Sequence, residues 1–225
     1  MPEPWYPVAW SVVIPPAWLL FSWHLEGIER IPASGPALIA CNHASYLDPI
    51  ANAYAVVKAG RRPRFLAKRE LFEIRLVGSV LRGVRQIPVD RGTGDRTPLR
   101  RAEEALAARE VVLVYPEGTV TKRADGLPME GKTGTVRLAL TSGQPIIPMV
   151  SWGSAPVWQK SGPGSLKPGR PIWVGVGDPI DLSARIGEAG DFQAVKDMTA
   201  DLMRVLGEMA ADLRDRYPKR WAAGG

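Results

Sequence analysis

Short apolar runs alternate with helical stretches along most of this 225-residue chain. Apolar runs of this length are typical of buried strands. Their alternation with helices predicts an α/β layered fold, with a mixed, largely parallel sheet flanked by helices. The predicted strands are residues 37–41, 64–67, 86–89, 111–115, 146–151 and 172–176.

Two helices have clear sequence signals. Thr97 and Pro98 are typical of an N-cap followed by a first-turn proline. Near the carboxyl end, apolar residues recur at helical spacing from Asp191 to about Tyr217. They predict one long amphipathic helix whose apolar stripe lies in the core.

The composition is that of one globular domain with a substantial core, because 45 % of the residues are hydrophobic and 23 % are charged. A single cysteine excludes a disulfide framework and suits the cytosol. One cysteine and two histidines cannot form a conventional zinc site, so we predict no metal.

Residues 42–48, Asn-His-Ala-Ser-Tyr-Leu-Asp, offer a base and a carboxylate directly after a predicted strand. His43 and Asp48 can meet only across a turn, and Asp48-Pro49 predicts a helix start with Asp48 as its N-cap. Asp48 could then orient one ring nitrogen of His43 while the other takes a proton from a substrate hydroxyl. The alternative is a histidine with satisfied hydrogen bonds beside an ordinary helix cap.

Residues 115–119, Tyr-Pro-Glu-Gly-Thr, place a carboxylate and a glycine turn at the end of the apolar strand 111–115. Ligands of open α/β sheets gather at the carboxyl ends of strands. His43 and Glu117 both follow strands directly, so they can face one cleft. The alternative for Glu117 is a strand-end cap or a structural ion pair.

Two competing chemistries have weaker support. Residues 126–133 match the phosphate-binding pattern G-x-x-x-x-G-K-[ST]. The match does not follow a strand directly, Pro128 removes an amide, and Glu130 places negative charge beside the expected phosphates. Cys41 could act as a thiol nucleophile, but a cysteine inside an apolar strand is more typical of core packing.

The motifs resemble those of the glycerolipid acyltransferases typified by bacterial 1-acyl-glycerol-3-phosphate acyltransferases. That family carries four ordered blocks, Asn-His-x-Ser-x-x-Asp, Ile-x-x-Asp-Arg, Phe-Pro-Glu-Gly-Thr-Arg and Pro-Ile-x-Pro-Val. This chain has similar blocks in the same order, at residues 42–48, 87–91, 115–119 and 145–150, with a family-like lysine-glutamate-leucine stretch at 65–72. Two positions depart from the pattern: Val120 replaces an arginine, for which Lys122 or Arg123 could substitute, and Ala44 replaces a glutamine.

The resemblance implies an O-acyltransferase that moves a fatty acyl group from acyl-coenzyme A or acyl carrier protein to the sn-2 hydroxyl of 1-acyl-sn-glycerol-3-phosphate. It implies His43 as general base, Asp48 as its orienting acid, and no cofactor. The implied substrate-binding residues are Ser45, Lys68, Arg91, Glu117, Gly118, Thr119 and Lys132, with Arg91 on the acceptor phosphate. An exposed loop charge is the alternative for Arg91. The alternative functions are an acyltransferase for glycerol-3-phosphate or another lysolipid, and a non-catalytic lipid-binding protein.

Positive charge is concentrated in one part of the chain. Residues 61–101 contain twelve lysines and arginines against four acids, within a net charge of +6. Such a face should attract anions, and the absence of interleaved aromatics favours a membrane phospholipid surface and phosphate-bearing substrates over nucleic acid. Simple solubilising charge is the alternative.

The amino terminus has the composition of a membrane-interface segment. Residues 4–25 contain no Lys, Arg, Asp or Glu but four of the eight tryptophans. The apolar run is short for a spanning helix and is broken by Pro15-Pro16, so an interfacial helical anchor is predicted rather than a distorted span or a segment packed on the core. The predicted organisation is a membrane-anchoring segment at 1–28 and an acyltransferase domain at 29–225. It places the protein at the cytoplasmic face of the cell membrane, peripheral or monotopic.

Overall fold

The structure is a computed structural model that describes residues 19–90, 97–159 and 162–222. Its strands are β1 (Phe21–Glu26), β2 (Ala37–Cys41), β3 (Pro63–Lys68), β4 (Ile87–Val89), β5 (Val111–Val114), β6 (Ile146–Trp152), β7 (Trp158–Gln159), β8 (Gly162–Pro163) and β9 (Arg170–Val176). Its helices are α1 (Asp48–Lys58), α2 (Glu70–Glu73), α3 (Arg75–Gly83), α4 (Thr97–Ala107), α5 (Gly134–Ser142), α6 (Phe192–Arg216) and α7 (Lys219–Ala222), with 3₁₀ turns at Ile28–Arg30 and Ser183–Glu188.

Seven strands form one sheet in the order β1-β9-β6-β2-β5-β3-β4. The β6–β9 pair is antiparallel, and every other neighbouring pair in this sheet is parallel. Strands β7 and β8 form a separate antiparallel hairpin. The predicted α/β fold with a mixed, largely parallel sheet is therefore confirmed.

The sheet is buried on both faces. Alternate residues of β2 belong to different core clusters: Leu38 packs with residues of α4, α5 and α6, whereas Ile39 packs with residues of α1. Helices thus cover both faces, and this explains why β2 and β5 are apolar without interruption.

The helix starts agree with the sequence to within one residue, and at two positions the predicted N-cap, Thr97 or Asp48, is instead the first helical residue. Helix α4 begins at Thr97, and Asp191 caps α6 by accepting the N–H groups of Gln193 and Ala194. Asp48 is the first residue of α1 rather than its N-cap, and Leu47 precedes the helix. The reason is that the Asp48 carboxylate turns back to the preceding loop, where it accepts the N–H of Ser45.

Strand β1 lies inside the segment 1–28 that the sequence assigns to membrane anchoring. It is an edge strand of the sheet and pairs with β9, with Phe21 opposite Arg170. Apolar composition alone did not separate an edge strand from an interfacial segment. Residues 1–18 lie outside the described residues, so the interfacial helix stays a prediction. Within the described ranges, no helix combines the length and hydropathy needed to cross a membrane.

Candidate active site

His43 and Asp48 meet in the turn between β2 and α1. Nδ1 of His43 lies 3.3 Å from Oδ2 of Asp48, and both side chains are buried. The same Oδ2 accepts the N–H of Ser45 at 2.7 Å, and Oδ1 accepts the hydroxyl of Ser154 at 2.5 Å. A carboxylate held in this way fixes the imidazole orientation and leaves Nε2 on the far side of the ring, where it can act as a base.

The imidazole of His43 is held between aromatic rings. It stacks on Tyr115 with the ring centroids 4.4 Å apart, and Tyr46 meets it edge-on at 6.4 Å. Phe65 lies parallel to Tyr115 at 6.3 Å, and the Tyr115 hydroxyl accepts a hydrogen bond from Asn52. Burial raises the pKa of Tyr115 well above its ordinary value, so the phenol stays neutral beside the base.

Glu117 ties two loops together. Its Oε1 accepts the N–H of His43 and its Oε2 accepts the N–H of Met129, both at 2.9 Å. The residue is only 5 % exposed, and burial raises its pKa despite these two hydrogen bonds. Because both oxygens are engaged by backbone amides, the geometry favours a positioning role for Glu117.

Gly118, the residue after Glu117, lies next to Lys132. Gly118 has a φ of 68°, and a Cβ there would lie 3.1 Å from Nζ of Lys132. The N–H of Lys132 donates to the carbonyl of Pro116 at 2.8 Å. The structure thus brings the ammonium group of Lys132 to the turn that contains Glu117, Gly118 and the half-buried Thr119.

The remaining predicted substrate-binding residues are Ser45, Lys68 and Arg91. Ser45 is buried, and its hydroxyl donates to the carbonyl of Trp158 while accepting the N–H of Leu47. Lys68 ends β3 and pairs with Glu70 at 2.9 Å. Arg91, which follows β4 in sequence, lies outside the described residues.

Several residues that support the site had no assigned role in the sequence. Asn42 exchanges two hydrogen bonds with the backbone of Ser151 and so joins the end of β2 to β6. Asn42 belongs to the first motif block, so its position was a signal. No sequence signal marks Ser154 or Asn52, because only folding brings Ser154 to Asp48 and Asn52 to Tyr115.

The competing chemistries lose support. Cys41 is 0 % exposed, and burial raises the pKa of its thiol well above the ordinary value, which disfavours the thiolate. In the segment 126–133, the Met129 amide is occupied by Glu117, and Gly131 packs against Met203. Among the described residues, no cluster of His, Cys, Asp and Glu has the arrangement of a metal site.

A cavity of about 630 Å³ adjoins the His43 loop, with Ala44 and Thr121 in its wall. Lys122 and Arg123 also line it, and Arg123 pairs with Asp125. Val120, where the resembling family has arginine, is buried and packs in the interior. Lys122 and Arg123, the two candidates to replace the charge of the family's arginine, thus line this cavity.

Comparison with known proteins places the chain in a family. The chain is 28 % identical over 152 residues to the 1-acyl-sn-glycerol-3-phosphate acyltransferase of Bacillus subtilis, a match that covers 68 % of this chain and 70 % of that protein. It is also 28 % identical over 149 residues to a chloroplastic 1-acyl-sn-glycerol-3-phosphate acyltransferase of Arabidopsis thaliana, covering 65 % of this chain but 40 % of that protein.

A solved structure shares the fold. The crystal structure of the 1-acyl-sn-glycerophosphate acyltransferase PlsC from Thermotoga maritima superposes with a TM-score of 0.69 at 24 % identity, covering 90 % of this chain and 76 % of that one. The model of the acyltransferase family matches residues 22–152, which is more than half of the chain and includes His43, Asp48 and Glu117. The chain therefore belongs to the acyltransferase family.

Proposed function

We propose that this acyltransferase moves a fatty acyl group from an acyl thioester to the sn-2 hydroxyl of 1-acyl-sn-glycerol-3-phosphate. The donor would be acyl-coenzyme A or acyl carrier protein, and the reaction would take place at the cytoplasmic face of a membrane. The observation that carries the proposal is the buried His43–Asp48 pair at the carboxyl end of β2. The names of the two curated relatives support this acceptor.

The chain's own groups provide a complete proton path. Nε2 of His43 takes the proton of the acceptor hydroxyl, while Asp48 stabilises the resulting imidazolium through Nδ1. The alkoxide attacks the thioester carbonyl, and the tetrahedral intermediate collapses with departure of the thiolate. The imidazolium then returns its proton to that thiolate, so the base is regenerated.

Cationic residues follow the strands next to the histidine. Strands β4, β3, β5 and β2 are consecutive neighbours in the sheet. Arg91 follows β4 in sequence, Lys68 ends β3, and Lys132 reaches the turn after β5. We assign the acceptor phosphate to this line of cations, since a guanidinium binds phosphate oxygens in a bidentate manner.

Two alternatives remain within the proposal. Buried Val120 stands where the resembling family has an arginine, so one positive charge is missing there. For this reason, glycerol-3-phosphate and other lysolipids should also be tested as acceptors. A non-catalytic lipid-binding protein is the alternative from another class, and the intact His43–Asp48 contact disfavours it.

The test is a panel of acceptors and thioester donors with the purified protein and mass-spectrometric detection of products. We expect 1-acyl-sn-glycerol-3-phosphate to be acylated, and His43→Ala and Asp48→Asn to lower turnover by about 100-fold or more. His24→Ala is the matched control, because His24 is the other histidine and is half exposed on β1. Unchanged turnover in His43→Ala would refute the general-base assignment.

A further inference from the structure

Helix α3 exposes the large apolar residues of its first turn to solvent. Since a helix turns about 100° per residue, Leu76, Val77, Val80 and Leu81 share one side, and Arg75, Gly78, Ser79 and Arg82 share the other. Gly78 is the one buried residue of this helix, whereas Leu76 is 81 % exposed. Val80 and Leu81 are half-buried, and Arg75, Ser79 and Arg82 on the other side are exposed. An ordinary surface helix buries large apolar residues such as Leu76 and Val77 against the core.

Close backbone contacts fix this orientation. Gly78 packs against α2 so tightly that a Cβ would lie 2.0 Å from the carbonyl oxygen of Phe72. Nη1 of Arg82 donates to the same oxygen at 2.6 Å. Turning the apolar side inward would break both contacts, so the exposed side is a built feature of the α2–α3 hairpin.

The neighbouring helix extends the apolar surface. Leu71 of α2 and Ile74, which joins the two helices, are exposed beside α3. Together with Leu76 and Val77 they are four exposed aliphatic side chains within residues 71–77, which we call the hairpin surface. Large exposed apolar groups rimmed by polar residues are typical of interaction sites.

Cations accompany the hairpin surface. Residues 68–82 contain four basic side chains, Lys68, Arg69, Arg75 and Arg82, against the two acids Glu70 and Glu73, and Lys68 pairs with Glu70. The whole region 61–101 has twelve basic residues against four acidic ones. An apolar helix side with flanking Lys and Arg matches the surface of an anionic bilayer, where acyl chains meet phosphate groups.

We propose that the hairpin surface docks on an anionic phospholipid bilayer, with Leu71, Ile74, Leu76 and Val77 entering the interface. This rests on the proposed function, because a lipid acceptor would come from that bilayer. The hairpin follows β3, whose Phe65 stacks on Tyr115 next to His43. Docking here therefore presents the carboxyl end of β3 and the base to the lipid phase.

The amino end of the described chain and the β4 edge next to the hairpin lie on opposite sides of the sheet. The described chain begins at Leu19, just before β1, and β1 and β4 are opposite edges of the sheet. With neighbouring strands about 4.8 Å apart, these edges are separated by roughly 29 Å. The flanking cations favour an anionic bilayer as the occupant, and the experiment separates it from residues 1–18 and from a second copy.

The first measurement uses a nitroxide label on Leu76→Cys in the full chain. Cys41 is fully buried, so the label reacts with the introduced thiol. We expect the label to be water-accessible in the free protein and shielded after addition of phosphatidylcholine vesicles containing phosphatidylglycerol. Shielding before vesicles are added would overturn the proposal in favour of residues 1–18 or a second copy. Continued water accessibility on vesicles would overturn it as well.

Phe192→Cys is the matched control, because Phe192 is 65 % exposed at the start of α6. Its label should stay water-accessible on vesicles. Insertion of both labels to the same depth would argue for unspecific adsorption and against the hairpin surface.

A second measurement compares Leu76→Glu/Val77→Glu with Phe192→Glu in vesicle co-sedimentation. We expect the double variant to lose at least ten-fold in vesicle affinity and Phe192→Glu to retain it. The ratio of acyl transfer on vesicle-embedded acceptor to transfer on a water-soluble short-chain acceptor should fall in the double variant. Equal vesicle affinity in all three proteins would refute the docking. A parent protein whose label is shielded on vesicles but which acylates no acceptor would support the docking and refute the proposed function.

Discussion

At the scale of single residues, the site depends on two buried carboxylates with different tasks. Asp48 contacts the imidazole and is itself held by Ser45 and Ser154. Glu117 contacts no side chain of the pair, yet it fixes the backbone on which His43 stands. His43 is therefore positioned through both its ring and its amide.

Replacing Glu117 tests the loop tie directly. Glu117→Ala leaves one buried and one part-buried amide without an acceptor and should lower the free energy of unfolding by about 3 kcal/mol. Glu130→Ala, an exposed acid in the adjacent loop, should change it by less than about 0.5 kcal/mol. Urea unfolding of both variants gives the comparison, and equal effects would contradict the assignment of a tie to Glu117.

Burial also gives Glu117 a distinctive pH dependence. Its pKa in the folded protein is raised above the ordinary 4.5, so the folded state binds the proton more tightly than the unfolded state. The stabilisation from this group is therefore fully present below the unfolded-state pKa and is lost as pH rises through the folded-state pKa. Glu117→Gln cannot titrate. Its stability relative to the parent should rise between about pH 4 and about pH 7, and a flat difference across that range would rule out the raised pKa.

The sequence could predict the residues of the site better than their contacts. His43, Asp48 and Glu117 are in the motif blocks, and their position after neighbouring parallel strands explains why they lie together. The contact of Glu117 with Met129 depends on a loop path that no local pattern encodes. For the same reason, the sequence could not show that Ser45 is occupied by the backbone of Leu47 and Trp158.

At the scale of elements, the buried strands were predictable because burial on both faces makes them continuously apolar. All six predicted strands are present, and none of their bounds differs by more than two residues. The hairpin of α2 and α3 was not predicted. Gly78 is the one buried residue of α3 and Leu76 and Val77 are exposed, so apolar periodicity does not mark a core-facing side there. Strand β1 was assigned to the interfacial segment because its aromatic and apolar residues fit both environments.

Two helical glycines should respond in opposite ways to alanine. Gly78→Ala forces a methyl group onto the Phe72 carbonyl and should lower the free energy of unfolding by about 1–3 kcal/mol. Gly207 in α6 has nothing within 4 Å of the Cβ position, so Gly207→Ala should raise it by about 0.5–1 kcal/mol. Thermal unfolding measures both. A stabilising Gly78→Ala would show that α3 does not need its close contact with α2.

At the scale of the whole molecule, the candidate site lies at one end of the parallel strands and simple connecting turns lie at the other. Strands β2, β3, β4, β5 and β6 all run the same way. Their carboxyl ends lead into the His43 loop, Lys68 and the Glu117 turn. Their amino ends are reached by plain connections such as the turn at Gly143, between α5 and β6, which has open space around it.

Short insertions at the two ends of the parallel strands should have different effects on acyl transfer. Gly-Ser-Gly inserted after Gly143 lengthens an exposed turn and should leave acyl transfer within about two-fold of the parent, since loop closure costs little more in a longer loop. The same insertion after Gly118 should abolish transfer, because it pulls Lys132 and Glu117 apart. Transfer assays together with melting temperatures would distinguish lost chemistry from lost folding. Equal activity of the two insertion variants would contradict the placement of the site at the carboxyl ends of the strands.

The pairing of β1 with β9 has a consequence for synthesis on the ribosome. Phe21 emerges early but finds its partner only when Arg170 has been translated, and at usual elongation rates this takes on the order of ten seconds. During that interval Phe21 and Trp23 of the nascent strand lack their neighbouring strand in the sheet. The earliest translated strand of the sheet is thus among the last to be completed.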